Sequence, residues 1–315
     1  MKSNSPAGPI EIRHDLSPQD AAFAAALRAQ VAPFKGKLDG PFARGAFDDV
    51  MEHTPGAPGV RHETGAVGGV EGIWCHPEDA RPGAAVIYLH GGAYVLGSPH
   101  AYRHFAGQIA ARSHAAVFVP AYRLAPEHAF PAAVDDARAA YRGLADHGAQ
   151  RIAIAGDSAG GGLALVLLAA AHGDALAGRG MAPVAAAVMS PWTDLALTGP
   201  SFQSRAEDDP LVTRGMLATT AALYLGAHDP RDPLASPLHG ELAGLPPIQL
   251  HVGTSEVLLD DTLRYAARAR AAGVDATAHT WDGMSHVFPA SVGELQAADQ
   301  ALALIAAFLD DHLGA

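Results

Sequence analysis

The sequence predicts an α/β domain with a mostly parallel β-sheet of about eight strands, helices on both faces of the sheet, and a helical cap. Three observations support this prediction. Short apolar runs alternate with helix-length segments over most of the chain, which is typical of parallel strands joined by helices. Hydrophobic residues make up 49% of the 315 residues and charged residues 17%, so the chain can bury one large core. A glycine-rich strand–turn–helix segment lies near the middle of the sequence.

Seven of the strands can be placed directly from apolar runs that end at turn residues. They are predicted over residues 70–75, 84–89, 115–122, 151–155, 185–189, 248–252 and 276–280. Helix-length pieces lie between them at 99–112, 131–145, 160–172 and 260–272. The apolar run 163–171 is about half the length that spans a membrane, and we expect a buried helix there.

Residues 1–50 are predicted to form a helical cap segment in front of a catalytic domain over 51–315. Ser17 precedes a proline, which is typical of a helix start. An apolar stripe at four-residue spacing follows, formed by Phe23, Leu27 and Val31. A segment rich in proline and aspartate, 197–235, interrupts the strand–helix rhythm. We expect it to contribute to the cap, with a helix near 213–225.

The chain carries a net charge of −12 with neutral histidines, and a single cysteine, Cys75. A strongly acidic surface repels phosphate backbones and anionic headgroups, so neither nucleic acid nor a membrane is expected as a partner. One cysteine excludes an internal disulfide. The first residues lack the apolar stretch of a signal peptide, which favours a cytoplasmic location. A homodimer is compatible with these properties.

The pattern G-x-S-x-G occurs at residues 156–160, with Ser158 at its centre, between a predicted strand and a predicted helix. In this context the serine lies on a sharp turn, and a Cβ atom two residues before or after it would collide with the turn. The start of the following helix favours negative charge. The sequence therefore predicts Ser158 as the nucleophile of an acyl-transfer enzyme. A glycine-rich turn with an incidental serine is the alternative.

The predicted strand 84–89 runs directly into His90, Gly91 and Gly92. Acyl transfer needs backbone N–H groups that stabilise the oxyanion, and glycines let the backbone approach the substrate carbonyl. We expect the oxyanion donors to be Gly91, Gly92 and Ala159, which follows the nucleophile. His90 is expected to form structural hydrogen bonds. A plain turn is the alternative interpretation of this loop.

The general base and its acid are expected late in the chain, in the order serine, acid, histidine. His286 follows a predicted strand in a loop from which it can reach the serine, whereas His279 lies inside that strand. Glu256 is the leading candidate for the acid because it lies on the loop after another strand. Asp260, at a helix start, and Asp194, after the preceding strand, remain alternatives.

Seven ordered strings in the sequence resemble the hormone-sensitive-lipase-like family of α/β-hydrolases, chiefly its bacterial carboxylesterases. The resemblance runs from about residue 70 to the C-terminus. The strings are HGGAY (90–94), YRLAPEHAFPAAVDD (122–136), GDSAGG (156–161), SPWTDL (190–195), DPRDPLASPL (229–238), GLPPIQLHVG (244–253) and GMSH (283–286). The resemblance implies the α/β-hydrolase fold, an N-terminal helical cap and no cofactor.

The same resemblance implies ester hydrolysis through Ser158, His286 and the acid on the 253–261 loop. One departure concerns that acid. Many members have an aspartate followed by proline and leucine, whereas Glu256 is followed by valine and leucine. A glutamate at this position is similar to the lactone-hydrolase-like branch of the family.

The sequence thus predicts a serine carboxylesterase that acts on small apolar esters of short to medium chain length through an acyl-enzyme. Lactone, amide or formamide hydrolysis remains open, because the same residues can cleave all of these bonds. A non-catalytic ligand-binding homologue is a further alternative; the plant gibberellin receptors of this type lack the histidine, and His286 is present here. His100 and His104 have metal-ligand spacing but no evident third ligand, so no metal site is expected.

Overall fold

The part of the chain that the structure describes, residues 10–315 of a computed structural model, contains one nine-stranded β-sheet. The strands are β1 (Glu11–His14), β2 (Val60–Val67), β3 (Val70–Pro77), β4 (Ala84–Leu89), β5 (Ala116–Pro120), β6 (Arg151–Asp157), β7 (Ala186–Met189), β8 (Ile248–Gly253) and β9 (Ala276–Trp281). Their order across the sheet is β1-β9-β8-β7-β6-β4-β5-β3-β2. Strand β3 is antiparallel to both of its neighbours, and the remaining pairs are parallel.

All seven predicted strands are present in the sheet, so the predicted α/β architecture is confirmed. The expected count of about eight was one too low because β1 and β2 form the two ends of the sheet. Strand β1 has only four residues, and only Val67 of the eight residues of β2 is buried. An edge strand needs no continuous apolar run, so neither strand shows the pattern that marks the central strands.

Helices cover both faces of the sheet. Helices α3 and α9 pack on one face, and α4, α5 and α8 pack on the other. The helices are α1 (Pro18–Val31), α2 (Arg44–Glu52), α3 (Pro99–Ser113), α4 (Ala132–Asp146), α5 (Ser158–Leu176), α6 (Ser201–Ser204), α7 (Arg214–Leu225), α8 (Leu259–Ala271) and α9 (Gln296–Gly314). By length and composition α5 could cross a membrane, but 67% of its apolar window is buried inside the structure.

The N-terminal segment divides between the sheet and the predicted cap. Residues 1–9 lie outside the described residues, and β1 pairs in parallel with β9. Strand β1, which was expected to be part of the 1–50 cap segment, therefore belongs to the sheet, because its backbone completes the edge next to β9. Helix α1 begins as predicted, since the Ser17 hydroxyl accepts a hydrogen bond from the Asp20 N–H at 3.1 Å. The assignment of the remaining residues to a cap stays a prediction.

The N-terminal segment and the 197–235 insertion are in direct contact. The Lys35 ammonium group donates to the Ala206 carbonyl at 2.7 Å. The Gly36 N–H donates to the Leu211 carbonyl at 2.9 Å. These bonds join the loop after α1 to the loop between α6 and α7.

Candidate active site

Ser158 is the first residue of α5 and directly follows β6. Its backbone has φ = +53°, the left-handed region that a residue with a side chain rarely adopts. A Cβ atom on Gly156 would lie 2.5 Å from the Gly160 carbonyl oxygen, and one on Gly160 would lie 2.1 Å from the Leu89 carbonyl oxygen. Both distances are too short for a side chain, so the sharp turn requires glycine at both positions.

The side chains of Ser158, His286 and Glu256 form one hydrogen-bonded chain. His286 follows β9, and its Nε2 atom lies 2.9 Å from the Ser158 hydroxyl oxygen. Its other ring nitrogen, Nδ1, lies 2.5 Å from Glu256 Oε2. The second carboxylate oxygen of Glu256 accepts the Gly253 N–H at 3.0 Å and the Ser190 hydroxyl at 2.9 Å. Glu256 is thereby held from both sides.

The electrostatic environment of this chain favours a basic histidine. Burial alone would lower the pKa of His286, but the charge and hydrogen bond of Glu256 more than offset it, so the pKa lies above its usual value. Burial raises the pKa of Glu256 despite the opposing effect of His286. A histidine that accepts a proton at Nε2 while Nδ1–H donates to a carboxylate can deprotonate a serine hydroxyl.

The loop after β4 was expected to supply the oxyanion donors Gly91 and Gly92. For Gly91 the structure shows a different role. The Gly91 N–H donates to Asp157 Oδ1 at 3.0 Å, so this predicted oxyanion donor is already bonded. The reason is that the buried Asp157 carboxylate needs hydrogen-bond donors of its own. Within residues 10–315, the N–H groups of Gly92 and Ala93 donate to no backbone carbonyl. The N–H group of Ala159 lies in the first turn of α5, where backbone N–H groups have no partner inside their own helix.

The sequence of this chain from residue 86 to residue 290 matches the family model of the alpha/beta hydrolase fold. The chain belongs to the α/β-hydrolase fold family. The predicted family is therefore confirmed, and with it the class of enzyme: relatives of this chain are named as esterases and acetyl-hydrolases, and the chain is a carboxylic ester hydrolase of this superfamily.

Three similar proteins illustrate the relationship. An acetyl-hydrolase of Streptomyces hygroscopicus is 44% identical over 220 residues, which cover 68% of this chain and 72% of the relative. An ethyl acetate hydrolase of Pseudomonas putida is 32% identical over 246 residues, 75% of this chain and 76% of the relative. An esterase from the bacterial hormone-sensitive lipase family is known from a crystal structure, and its sequence is 38% identical to this chain. The two structures superpose with a TM-score of 0.86 over 95% of this chain and 99% of the esterase.

In this α/β-hydrolase the other candidate acids bond to partners other than His286, and the other histidine lies within a strand. Asp260 Oδ2 accepts the Ser201 N–H at 2.5 Å. Asp194 is wholly buried and lies 3.2 Å from Arg264 and 3.1 Å from His239. His279 lies within β9, where burial lowers its pKa to about 4. None of these three side chains has a recorded hydrogen bond to His286 in the described range.

Asp157 is a site residue of this α/β-hydrolase that the sequence analysis did not single out. Besides the Gly91 N–H, its carboxylate accepts the hydroxyl groups of Tyr88 at 2.6 Å and Tyr102 at 3.0 Å. Burial raises the pKa of Asp157 to about 6, and these hydrogen bonds offset the effect only in part. Asp157, the residue directly before the nucleophile, is therefore bonded to the loop after β4. The one available signal was an acidic residue inside an otherwise apolar strand–helix junction.

Two further residues of the α/β-hydrolase support the same loop. The Arg44 guanidinium donates to the Val95 carbonyl at 2.8 Å and forms an ion pair with Glu127 at 2.7 Å. His90 stacks on Tyr122 with ring centroids 4.3 Å apart, and burial lowers the pKa of His90 to about 4. His90 therefore stays neutral near pH 7, which fits the structural part expected of it.

The expected absence of a metal site agrees with the side chains that the structure describes, but it stays a prediction. His100 lies 3.4 Å from Glu52. Residues 10–315 contain no group of three or more histidine, cysteine, aspartate or glutamate side chains arranged to hold a metal ion. The Cys75 thiol is buried, and this burial raises its pKa to about 12, which leaves it a poor nucleophile.

Proposed function

We propose that this protein hydrolyses short- to medium-chain carboxylic esters through an acyl-enzyme on Ser158. The observation that carries the proposal is the continuous chain of hydrogen bonds from the Ser158 hydroxyl through both nitrogens of His286 to Glu256. A nucleophile, a base and a carboxylate that orients the base are the parts that acyl transfer requires.

In the first half of the reaction, Ser158 Oγ attacks the acyl carbon and gives its proton to His286 Nε2. Glu256 holds the imidazole in the tautomer with the proton on Nδ1 and stabilises the imidazolium that forms. The tetrahedral oxyanion is bound by the N–H groups of Gly92, Ala93 and Ala159. Collapse of this intermediate breaks the bond to the alcohol oxygen, and His286 returns the proton to the leaving alcohol.

In the second half, a water molecule replaces the alcohol beside His286. The histidine takes a proton from the water, and the resulting hydroxide attacks the acyl carbon of the Ser158 ester. Expulsion of Ser158 Oγ, which recovers its proton from His286, releases the carboxylic acid. The positive φ of Ser158 and the nearby start of α5 support both steps, because they present the hydroxyl outside the strand and favour negative charge.

The chain length of the acyl group follows from two considerations. The relatives include an acetyl-hydrolase and an ethyl acetate hydrolase, whose names indicate short acyl groups. The contact of the N-terminal segment with the 197–235 insertion supports a roof that limits the acyl pocket.

We therefore expect kcat/KM for p-nitrophenyl esters to rise over the first few acyl carbons, by up to ~0.8 kcal/mol for each buried methylene, and then to fall. A series from acetate to palmitate measures this, with lactones and anilides as matched controls for the bond that is cleaved. A rate that still rises at palmitate would contradict a roofed pocket, and a faster lactone or anilide would change the substrate class.

Replacement of Glu256 by glutamine should lower kcat by about 10²- to 10⁴-fold with a smaller effect on KM. The amide nitrogen of glutamine would donate to His286 Nδ1 and favour the tautomer with the proton on Nε2, which cannot accept the proton of the serine. Steady-state hydrolysis of p-nitrophenyl butyrate provides the measurement. Glu256→Asp should be partly active, because the carboxylate remains but is one methylene shorter.

Asp260→Asn is the control for Glu256→Gln. Asp260 lies four residues after Glu256, in the first turn of α8, and accepts the Ser201 N–H, so its loss should reduce kcat by less than ~10-fold. A larger effect at Asp260 than at Glu256 would assign the acid to Asp260.

A further inference from the structure

Asp209 is a second buried carboxylate next to the loop that carries Glu256. It lies between α6 and α7 in the 197–235 insertion, and it is fully buried. Its Oδ2 atom accepts the N–H of Val257, the residue directly after Glu256, at 3.0 Å. Its Oδ1 atom accepts the N–H groups of Leu211 and Val212 at 3.0 Å and 2.8 Å. A single side chain thus joins the insertion to the acid loop.

The charge of Asp209 is not neutralised by a basic side chain. Arg205, four residues earlier, forms its ion pair with Asp208 at 3.1 Å. No ion pair to Asp209 occurs among residues 10–315, and three backbone N–H groups are its recorded partners. A buried carboxylate without a cation is energetically costly, so its position next to Glu256 calls for a function.

Three acidic side chains from three separate elements affect His286, and one of them, Glu256, is in direct contact with it. Burial lowers the pKa of His286, and the carboxylates raise it: Glu256 after β8 has the largest effect, followed by Asp209 before α7 and Asp157 at the end of β6. Asp209 also raises the pKa of Glu256, after the larger effect of burial. Because charges interact strongly in a buried site, Asp209 acts on the base and on the acid together.

We propose that Asp209 is a positioning residue for ester hydrolysis, which fixes the Glu256 loop through the Val257 N–H and whose negative charge favours the protonated form of His286 during acylation. The inference rests on the proposed function, in which His286 is the base. It also gives the insertion a direct link to the chemistry, because the residue that holds the acid loop belongs to the predicted cap.

Asp209→Asn tests the inference, since it removes the charge and keeps the size of the side chain. Both carboxylate oxygens accept N–H groups, and an asparagine has only one acceptor oxygen, so it cannot hold the acid loop and the start of α7 together. We therefore expect kcat to fall by about 10- to 10²-fold. Activity requires neutral His286 and is lost as the pH falls through its pKa. Without the charge of Asp209 this pKa is lower, so the acid limb of kcat/KM against pH should move to lower pH.

Two further variants separate charge from placement. Asp209→Glu keeps the charge and changes the reach, so kcat should fall while the acid limb stays at the wild-type pH. Asp208→Asn removes an equal charge from the neighbouring, half-exposed position, where the carboxylate pairs with Arg205, and should leave both kcat and the acid limb unchanged. Far-UV circular dichroism tests whether each variant is folded. If Asp209→Asn does not fold, the acid limb of Asp209→Glu decides.

The pH dependence of inactivation by a p-nitrophenyl phosphonate gives a second readout that does not involve turnover. Its acid limb should move in Asp209→Asn as that of kcat/KM does. Profiles of Asp209→Asn that superimpose on the wild type, or an acid limb that moves in Asp209→Glu or in Asp208→Asn, would overturn the inference. Failure of the phosphonate to label Ser158 in the wild-type protein would instead overturn the proposed function, so the two failures are distinguishable.

Discussion

Replacement of Ser158 by alanine should lower kcat for p-nitrophenyl butyrate by about 10⁴- to 10⁶-fold and leave the protein folded. The variant loses only the hydroxyl oxygen that attacks the acyl carbon. Alanine has the same Cβ atom as serine, so the positive φ at this position is no more strained than before. The hydroxyl has one recorded side-chain partner, His286, so a thermal melt should show little change in stability.

Covalent labelling provides an independent test of the same residue. A p-nitrophenyl phosphonate should add one phosphonyl group to the wild-type protein, and peptide mass spectrometry should place it on Ser158. The Ser158→Ala variant should remain unlabelled. Ser204→Ala, at an exposed position in α6, is the matched control and should retain full activity and labelling. Full activity in Ser158→Ala would remove the basis of the proposed function.

Replacement of His286 by alanine should reduce kcat almost as much as the loss of Ser158, by about 10⁴- to 10⁶-fold. Without the imidazole, the serine hydroxyl has no base within reach, and Glu256 keeps a buried charge without its partner. The double variant Ser158→Ala/His286→Ala should be scarcely slower than either single variant, because the two residues act as one unit. Hydrolysis rates of the three variants, corrected for background hydrolysis, measure this non-additivity.

His100 on α3 is exposed and lies beside Glu52, the last residue of α2. It offers a control for the loss of a histidine. His100→Ala should keep wild-type kcat and KM. Losses that multiply in the double variant would mean that Ser158 and His286 act in separate steps. A small effect of His286→Ala alone would move the base to another residue and leave the nucleophile assignment standing.

The central strands could be predicted from the sequence because burial on both faces requires continuous apolar runs. The strands β4, β6 and β8 illustrate this, since every residue in β4 and β8 is buried. The edge strand β2 could not be predicted, because only Val67 of its eight residues is buried and the others form no apolar run. Its pairing with β3 follows from a tight hairpin, whereas β1 reaches its partner β9 across more than 260 residues of sequence.

The candidate site could be predicted only where a local pattern carried the information. Ser158 lies in the G-x-S-x-G motif, in which the sharp turn requires glycine two residues before and two residues after the serine. Asp157 and Asp209 were missed because their partners are far away in sequence: Gly91 is 66 residues from Asp157, and Val257 is 48 residues from Asp209. Gly91 was assigned as an oxyanion donor because a glycine pattern does not show which N–H group is already bonded.

The two end strands of the sheet carry charged side chains, which bear on whether another strand can be added there. Strand β1 has four residues and exposes Glu11 and Arg13, which pair at 3.1 Å. Strand β2 exposes Arg61 and Glu63, which also form an ion pair. A strand added to either end would have to accommodate these charges beside its own backbone. These charges disfavour continuation of the sheet into another strand beside Glu11, Arg13, Arg61 and Glu63, and with it the fibrous aggregation that can follow.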